Sequence, residues 1–144
     1  MQTNKGRVTK DGIRIYEADE FAGMNVAGRL AAQILDDIAV HVFVGQTTAE
    51  VDRLITQMVV DAGATSATIG YKGYQHASCI SINHVVCHGI PGEKQLKDGD
   101  IVNIDVTVIV DGWFGDTSRM YVAGKLSRKA ERLIQVTHDA LMMG

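Results

Sequence analysis

Apolar residues recur at helical spacing in three stretches of the chain. Over residues 17–39 they follow the i, i+3, i+4 spacing of one helical face. A second stripe follows Thr47, which together with Glu50 has the spacing of a capping box, and it stops at Gly63. Ser127 is a candidate N-cap for a third stripe that runs to the last residue. The patterns predict two helices near the start of the chain and one at its end.

Between the second and third helices the chain is rich in β-branched and aromatic residues. They form four runs that predict strands, at residues 65–69, 79–83, 101–110 and 113–122. The order of the elements predicts an α+β fold with helices packed on one face of an antiparallel sheet. At 144 residues, with no repeat or linker, a single domain over residues 1–144 is expected.

The last two predicted strands flank Asp111-Gly112, the dipeptide that most strongly favours a two-residue hairpin turn. A turn at that point places Thr107 opposite Asp116 and Asp105 opposite Ser118. Because side chains alternate between faces, Asp105 and Asp116 then share one face, with Cα atoms about 7–8 Å apart.

Two carboxylates at that separation repel each other unless a cation lies between them. The separation suits a centre with two metal ions roughly 3.5–4 Å apart. The alternative is a hairpin whose polar face is simply solvated, and the spacing by itself favours that alternative, since short acidic motifs often match by chance.

Charge and composition exclude several classes of function. The net charge is −3, and no run of Lys or Arg forms a basic stripe, so nucleic acid is not an expected partner. No apolar stretch approaches the roughly 20 residues of a membrane-spanning helix. The first ten residues do not have the pattern of a signal peptide, so a cytoplasmic location is expected. Cys79 and Cys87 are too few to indicate a disulfide scaffold and are expected to be reduced thiols.

Two longer motifs carry a family resemblance. Residues 98–107 read DGDIVNIDVT, followed by Asp111-Gly112 and by GDTS at 115–118, and together they closely resemble the first metal-ligand block of type I methionine aminopeptidases. Residues 79–83 (CISIN) and 85–91 (VVCHGIP) resemble the next most distinctive block of that family. Weaker similarity extends from about residue 14 to the last residue.

The resemblance implies roles for three residues of the active site. Asp105 and Asp116 are implied as metal ligands, Asp105 bidentate on one ion and Asp116 bridging two. His88 is implied as a catalytic residue that contacts substrate near the scissile amide; without the motif, a solvated loop histidine would be the simpler interpretation. The implied cofactor is a pair of divalent ions, Co, Mn, Fe or Zn.

Further residues match substrate and cation positions of the family. Tyr71, Tyr74 and Cys79 correspond to the pocket for the methionine side chain, although each also suits an ordinary core role. Asn83 and the carbonyl of Val85 fall where the family often binds a monovalent cation. The remaining histidines match no ligand position and are predicted to be surface residues: His41, His76, His84 and His138.

The family's activity is removal of the initiator methionine, and its fold is called pita-bread. The implied partners are the N-terminus of a nascent polypeptide and, as a candidate, the ribosome. The chain departs from the family at His84, where Glu is common, and at Gln75, where Pro is usual.

A larger departure is that the family's second half, with one His and two Glu ligands, has no counterpart in the sequence. These 144 residues are therefore predicted to be the N-terminal half of a pita-bread fold, inactive alone, and to associate with a second-half polypeptide or with themselves.

Two other functions remain open from the sequence. One is a non-catalytic pita-bread module that binds peptides or proteins, against which the retained aspartates and His88 argue. The other is a prolidase-like or creatinase-like hydrolase, whose family shares the aspartates but lacks the motif at 87–91.

Overall fold

The computed structural model describes residues 6–144, and its elements follow the predicted order behind a small additional hairpin. In chain order they are β1 (Arg7–Val8), β2 (Arg14–Ile15), α1 (Phe21–Ile38), α2 (Thr48–Asp61), β3 (Thr65–Ser66), β4 (Ser78–Ile82), β5 (Asp100–Val110), β6 (Trp113–Ala123) and α3 (Arg128–Met143). The β1–β2 pair is antiparallel and was not expected from the sequence.

The helix caps follow the sequence, with one departure at α2. Thr47 accepts a hydrogen bond from the Glu50 N–H at 3.2 Å, and Ser127 accepts one from the Ala130 N–H at 3.3 Å. The Glu50 carboxylate does not complete the reciprocal half of the capping box, because it pairs with Arg53 at 2.7 Å. Only the N-cap half of the predicted box forms.

The sheet is antiparallel and centred on β5, which pairs with β6 along its whole length and with β4 and β3 on its other side. Asp111 and Gly112 form the turn, with φ of 50° and 83°. Positive φ at both central positions is the type I′ geometry that matches the right-handed twist of two strands. The predicted hairpin and its register are confirmed.

The predicted strand at 65–69 is shorter in the structure: Thr65–Ser66 forms the strand, and the Ala67 N–H makes one further bond to the Thr107 carbonyl of β5 at 2.9 Å. The hydroxyl of Ser66 accepts hydrogen bonds from the N–H groups of Thr68 and Ile69, and Thr68 donates its hydroxyl proton to the His76 carbonyl. These local bonds turn the chain away from the sheet.

The core lies between the sheet and two helices. Alternate residues of β5 are almost fully buried against apolar residues of α1 and α2, among them Ile104 and Ile55, both 0% exposed. Tyr121 joins the layers because its hydroxyl donates to the Leu35 carbonyl at 2.5 Å. The other face of β5, which carries Asp105, is left open.

The third helix differs from this arrangement, because α3 has no buried residue. Its apolar side chains are largely exposed, with Leu133 at 57% and Leu141 at 75%. The α+β class is confirmed. The helices packed on one face of the sheet are α1 and α2, whereas α3 buries no side chain. Within residues 6–144 no helix is long and apolar enough to cross a membrane.

Candidate metal centre

The two aspartates lie on the same face of the β5–β6 hairpin. Thr107 pairs with Asp116 and Asp105 with Ser118, which is the predicted register. The Thr107 hydroxyl donates a hydrogen bond to Asp116 Oδ1 at 3.1 Å. The long strands fix this arrangement, because a slip of one residue would move each aspartate to the helix-covered face.

The electrostatics of the pair favour a bound cation. Partial burial raises the pKa of Asp105, and the negative charge of Asp116 and a hydrogen bond with Asp116 raise that pKa further. The nearby His88 lowers it, but by less than burial and Asp116 raise it. A divalent ion between the carboxylates would remove the repulsion, and hard carboxylate oxygens are suitable ligands for it. Over residues 6–144, however, no cluster of three or more His, Cys, Asp or Glu side chains could hold a metal. The donors fit a metal site but supply only part of its ligand set.

His88 is exposed and lies on the loop that follows β4. Its φ of 55° is in the left-handed region, which is uncommon for a residue with a side chain. The loop is attached at the next residue: the Gly89 N–H donates to Ser81 Oγ at 3.0 Å, and the Gly89 carbonyl accepts from the Ile80 N–H at 2.8 Å. A Cβ at Gly89 would overlap the Ile80 carbonyl, so glycine permits this close contact beside His88.

Two of the three predicted pocket residues contact each other, and one of them lies beside Asp105. Cys79 of β4 is the direct partner of Asp105 across the sheet, and its thiol contacts the Tyr74 hydroxyl at 3.6 Å. Burial raises the pKa of the Cys79 thiol and that of the Tyr74 hydroxyl, so both groups are neutral near pH 7. Tyr71 differs, because it is 64% exposed and its ring meets the Lys72 ammonium at 5.4 Å.

The predicted cation position at Asn83 has other contacts in the structure. The Asn83 amide donates to Asp100 Oδ1 at 2.8 Å and accepts from the Ile101 N–H at 3.1 Å. These bonds fix the start of β5 relative to the end of β4. Cys87, between this position and His88, is exposed, and both cysteines are free thiols, as expected.

One prediction about the histidines is wrong. His84 and His138 are exposed, and His41 is half-buried. The side chain of His76, in contrast, is only 29% exposed and bonds to the buried carboxylate of Asp52. Asp52 is a charged residue on the buried face of α2, and that position within an apolar stripe was the available signal.

The sequence pattern of metallopeptidase family M24 matches residues 22–144. Methionine aminopeptidase of Rickettsia prowazekii (strain Madrid E) is 53% identical over 132 residues, which are 92% of this chain and 51% of that protein. The chain spans about half the length of the curated relatives it matches.

Solved structures agree with this similarity. The crystal structure of the Rickettsia prowazekii methionine aminopeptidase superposes with a TM-score of 0.89 at 53% identity, covering 90% of this chain and 52% of that one. The methionine aminopeptidase of Thermotoga maritima superposes with a TM-score of 0.86 at 32% identity, covering 91% and 53%. The resemblance found in the sequence and the pita-bread fold class are confirmed.

Proposed function

The chain belongs to metallopeptidase family M24, and from this premise we propose that its residues form one half of a metal-dependent aminopeptidase that removes the initiator methionine from nascent proteins. The observation that carries the proposal is the shared face of Asp105 and Asp116, where partial burial and, after it, the charge of Asp116 raise the pKa of Asp105. The motif around His88 distinguishes this function from that of other hydrolases with the same aspartate pair.

The proposed cofactor is a pair of divalent ions held by Asp105 and Asp116 together with ligands from the remaining length of the relatives. Bound ions of this kind supply an activated water and polarise the carbonyl that it attacks. The hydroxyl of Thr107 orients one carboxylate of the site by its hydrogen bond to Asp116.

The other site residues have roles in binding and proton placement. In this proposal His88 hydrogen-bonds at the scissile amide and stabilises charge as the tetrahedral intermediate forms. Tyr74 and Cys79 offer an aromatic ring and a neutral thiol, surfaces that suit contact with a methionine thioether. The proposed substrate is an N-terminal methionine followed by a small residue.

The proposed setting is the cytoplasm, where nascent N-termini emerge from the ribosome. The physiological partner is therefore the N-terminal segment of a new polypeptide. A monovalent cation near Asn83 and Val85 remains a subsidiary proposal.

The test is a chimera in which residues 1–144 are joined to the remaining length of the Rickettsia prowazekii relative. We expect Mn²⁺-dependent release of methionine from a Met-Ala-Ser peptide. Asp116→Asn should abolish it, because a carboxylate that would hold metal becomes a neutral amide. The matched control is Asp111→Asn on the same hairpin, where asparagine tolerates the positive φ of the turn. His88→Ala should lower turnover while metal content stays nearly unchanged.

Two results would refute the assignment. One is an Asp116→Asn chimera that still binds two metals and turns over at the normal rate. The other is a folded, metal-loaded chimera that binds the peptide without cleaving it, which would favour the non-catalytic binding module.

A further inference from the structure

The carboxylate of Asp52 is buried at the centre of a hydrogen-bond network outside the metal centre. Asp52 lies on α2 and is 6% exposed. Its Oδ1 accepts from the N–H of Ser78 at 2.9 Å and from the Ser78 hydroxyl at 2.7 Å, and its Oδ2 lies 2.9 Å from His76 Nδ1. One carboxylate therefore connects α2 to residues 74–79, the segment that contains the start of β4.

That segment carries two residues of the proposed pocket. The hydroxyl of Tyr74 donates to the Ser78 carbonyl at 2.9 Å, and the Cys79 thiol donates to the Tyr74 oxygen at 3.6 Å. The His76 ring packs edge-on against Tyr74, with centroids 5.4 Å apart. Tyr74 is thus fixed at its hydroxyl through Ser78 and at its ring through His76.

The chemistry of the network favours a single conformation. A buried carboxylate is costly unless its oxygens are hydrogen-bonded, and both oxygens of Asp52 have partners. Within residues 6–144 no buried side-chain polar atom lacks a partner. A fully satisfied network of this kind resists alternative arrangements of the segment, because each would leave a buried group unpaired.

We propose that Asp52 is a positioning residue, which through Ser78 and His76 fixes Tyr74 and Cys79 as the pocket wall beside Asp105. The direct pairing of Cys79 with Asp105 across the sheet carries the effect to the metal centre. That this wall receives a methionine side chain rests on the proposed function; the positioning itself does not.

The first test follows the accessibility of Cys79 in the full chain, with the exposed Cys87 replaced by Ser. We expect Asp52→Asn to raise the rate of Cys79 alkylation by iodoacetamide about tenfold, since loss of hydrogen bonds multiplies the locally open population by about that factor. The matched control is Asp61→Asn at the exposed end of the same helix, where the carboxylate accepts a bond from the nearby Gln57 side chain at 2.7 Å. The control should leave the rate unchanged.

Before variants are compared, each alkylation rate must be divided by the fraction of Cys79 that is present as thiolate. Burial, and to a smaller extent the charge of Asp105 and of Asp52, raises the pKa of Cys79, so Asp52→Asn changes the thiolate fraction as well as the structure. Measuring thiolate absorbance against pH in each variant gives that fraction.

A second variant keeps the proposal testable if Asp52→Asn fails to fold. His76→Ala removes a partly exposed ring and should raise the alkylation rate of Cys79 by a smaller factor than Asp52→Asn does. In His76→Asn the amide nitrogen can replace Nδ1 as the partner of Asp52, so the alkylation rate should return to that of the parent chain. Rates equal to the Asp61→Asn control in folded protein, or no rescue by His76→Asn, would overturn the proposal.

The chimera with the Rickettsia prowazekii relative supplies a kinetic test. Asp52→Asn should raise KM for methionine peptides several-fold with kcat within about twofold, because the wall contacts the bound side chain and not the reacting amide. A fall in kcat with unchanged KM would overturn the positioning role. A folded, metal-loaded chimera that binds the peptide without cleaving it would refute the proposed function, while the alkylation rates would still decide the role of Asp52.

Discussion

Thr107 of β5 and Asp116 of β6 are directly paired across the hairpin, and the Thr107 hydroxyl donates a hydrogen bond to Asp116 Oδ1 at 3.1 Å. Both residues belong to the β5–β6 hairpin, so the hairpin itself orients the Asp116 carboxylate. Outer groups that orient metal ligands are typically worth a 10–100-fold change in metal affinity.

We therefore expect Thr107→Val to weaken Mn²⁺ binding by residues 1–144 about tenfold. Thr107→Ser retains the hydroxyl and should bind like the parent chain. Electron paramagnetic resonance of free Mn²⁺ measures both affinities, and equal affinity for the Val and Ser variants would contradict the orienting role.

The polypeptide of residues 1–144 should by itself release no methionine from a Met-Ala-Ser peptide with Co²⁺ or Mn²⁺. Two carboxylates cannot fix two ions, and residues 6–144 offer no cluster of three metal-binding side chains. The exposed apolar side chains of α3, including Leu133 and Leu141, should also cause association. Peptide assay and size-exclusion chromatography test both points, and robust turnover by a monomer would contradict the prediction.

Tyr121 should make the chain lose stability in alkali. Burial raises its pKa to about 12, whereas an unfolded tyrosine ionises near pH 10. The stabilising contribution is complete below pH 10 and is lost as pH rises toward 12, because the unfolded state releases its proton first. Urea unfolding at several pH values should show this decline.

Tyr121→Phe should make that decline shallower, leaving the part that Tyr74 contributes through its own raised pKa. It should also lower the free energy of unfolding at pH 7 by about 1 kcal/mol, since the bond to the Leu35 carbonyl is lost. The exposed Tyr71→Phe is the control and should keep the parent's pH dependence. A Tyr121→Phe protein with the same alkaline decline would show that another group causes it.

Glycine at 115 should be required for contact between β6 and α1. A Cβ there would overlap the Ala27 carbonyl, so Gly115→Ala should lower the free energy of unfolding by about 1–3 kcal/mol. Gly28→Ala meets no atom within 4 Å and lies inside α1, so it should instead add up to about 1 kcal/mol. Urea unfolding measures the free energy of unfolding of both variants, and equal effects of the two substitutions would contradict the packing argument.

Local chemistry was enough to predict much of the fold. Asp111-Gly112 predicted the position of the two-residue hairpin turn, and the turn with the two-residue period predicted which face carries Asp105 and Asp116. Thr47 and Ser127 marked the starts of α2 and α3 because a cap depends on atoms within one helical turn. The motif around His88 indicated the family of the chain, although the sequence does not show where the loop that carries His88 lies in the fold.

Tertiary structure decided what depends on residues distant in sequence. His76 bonds to Asp52, which lies 24 positions away, and only packing of α2 against the entry to β4 brings them together. The apolar stripe of α3 predicts a helix, but burial requires a surface to pack against, and residues 6–144 bury none of its side chains. Periodicity thus determines which side of an element is apolar, whereas the partner of that side depends on long-range contacts that a local pattern does not encode.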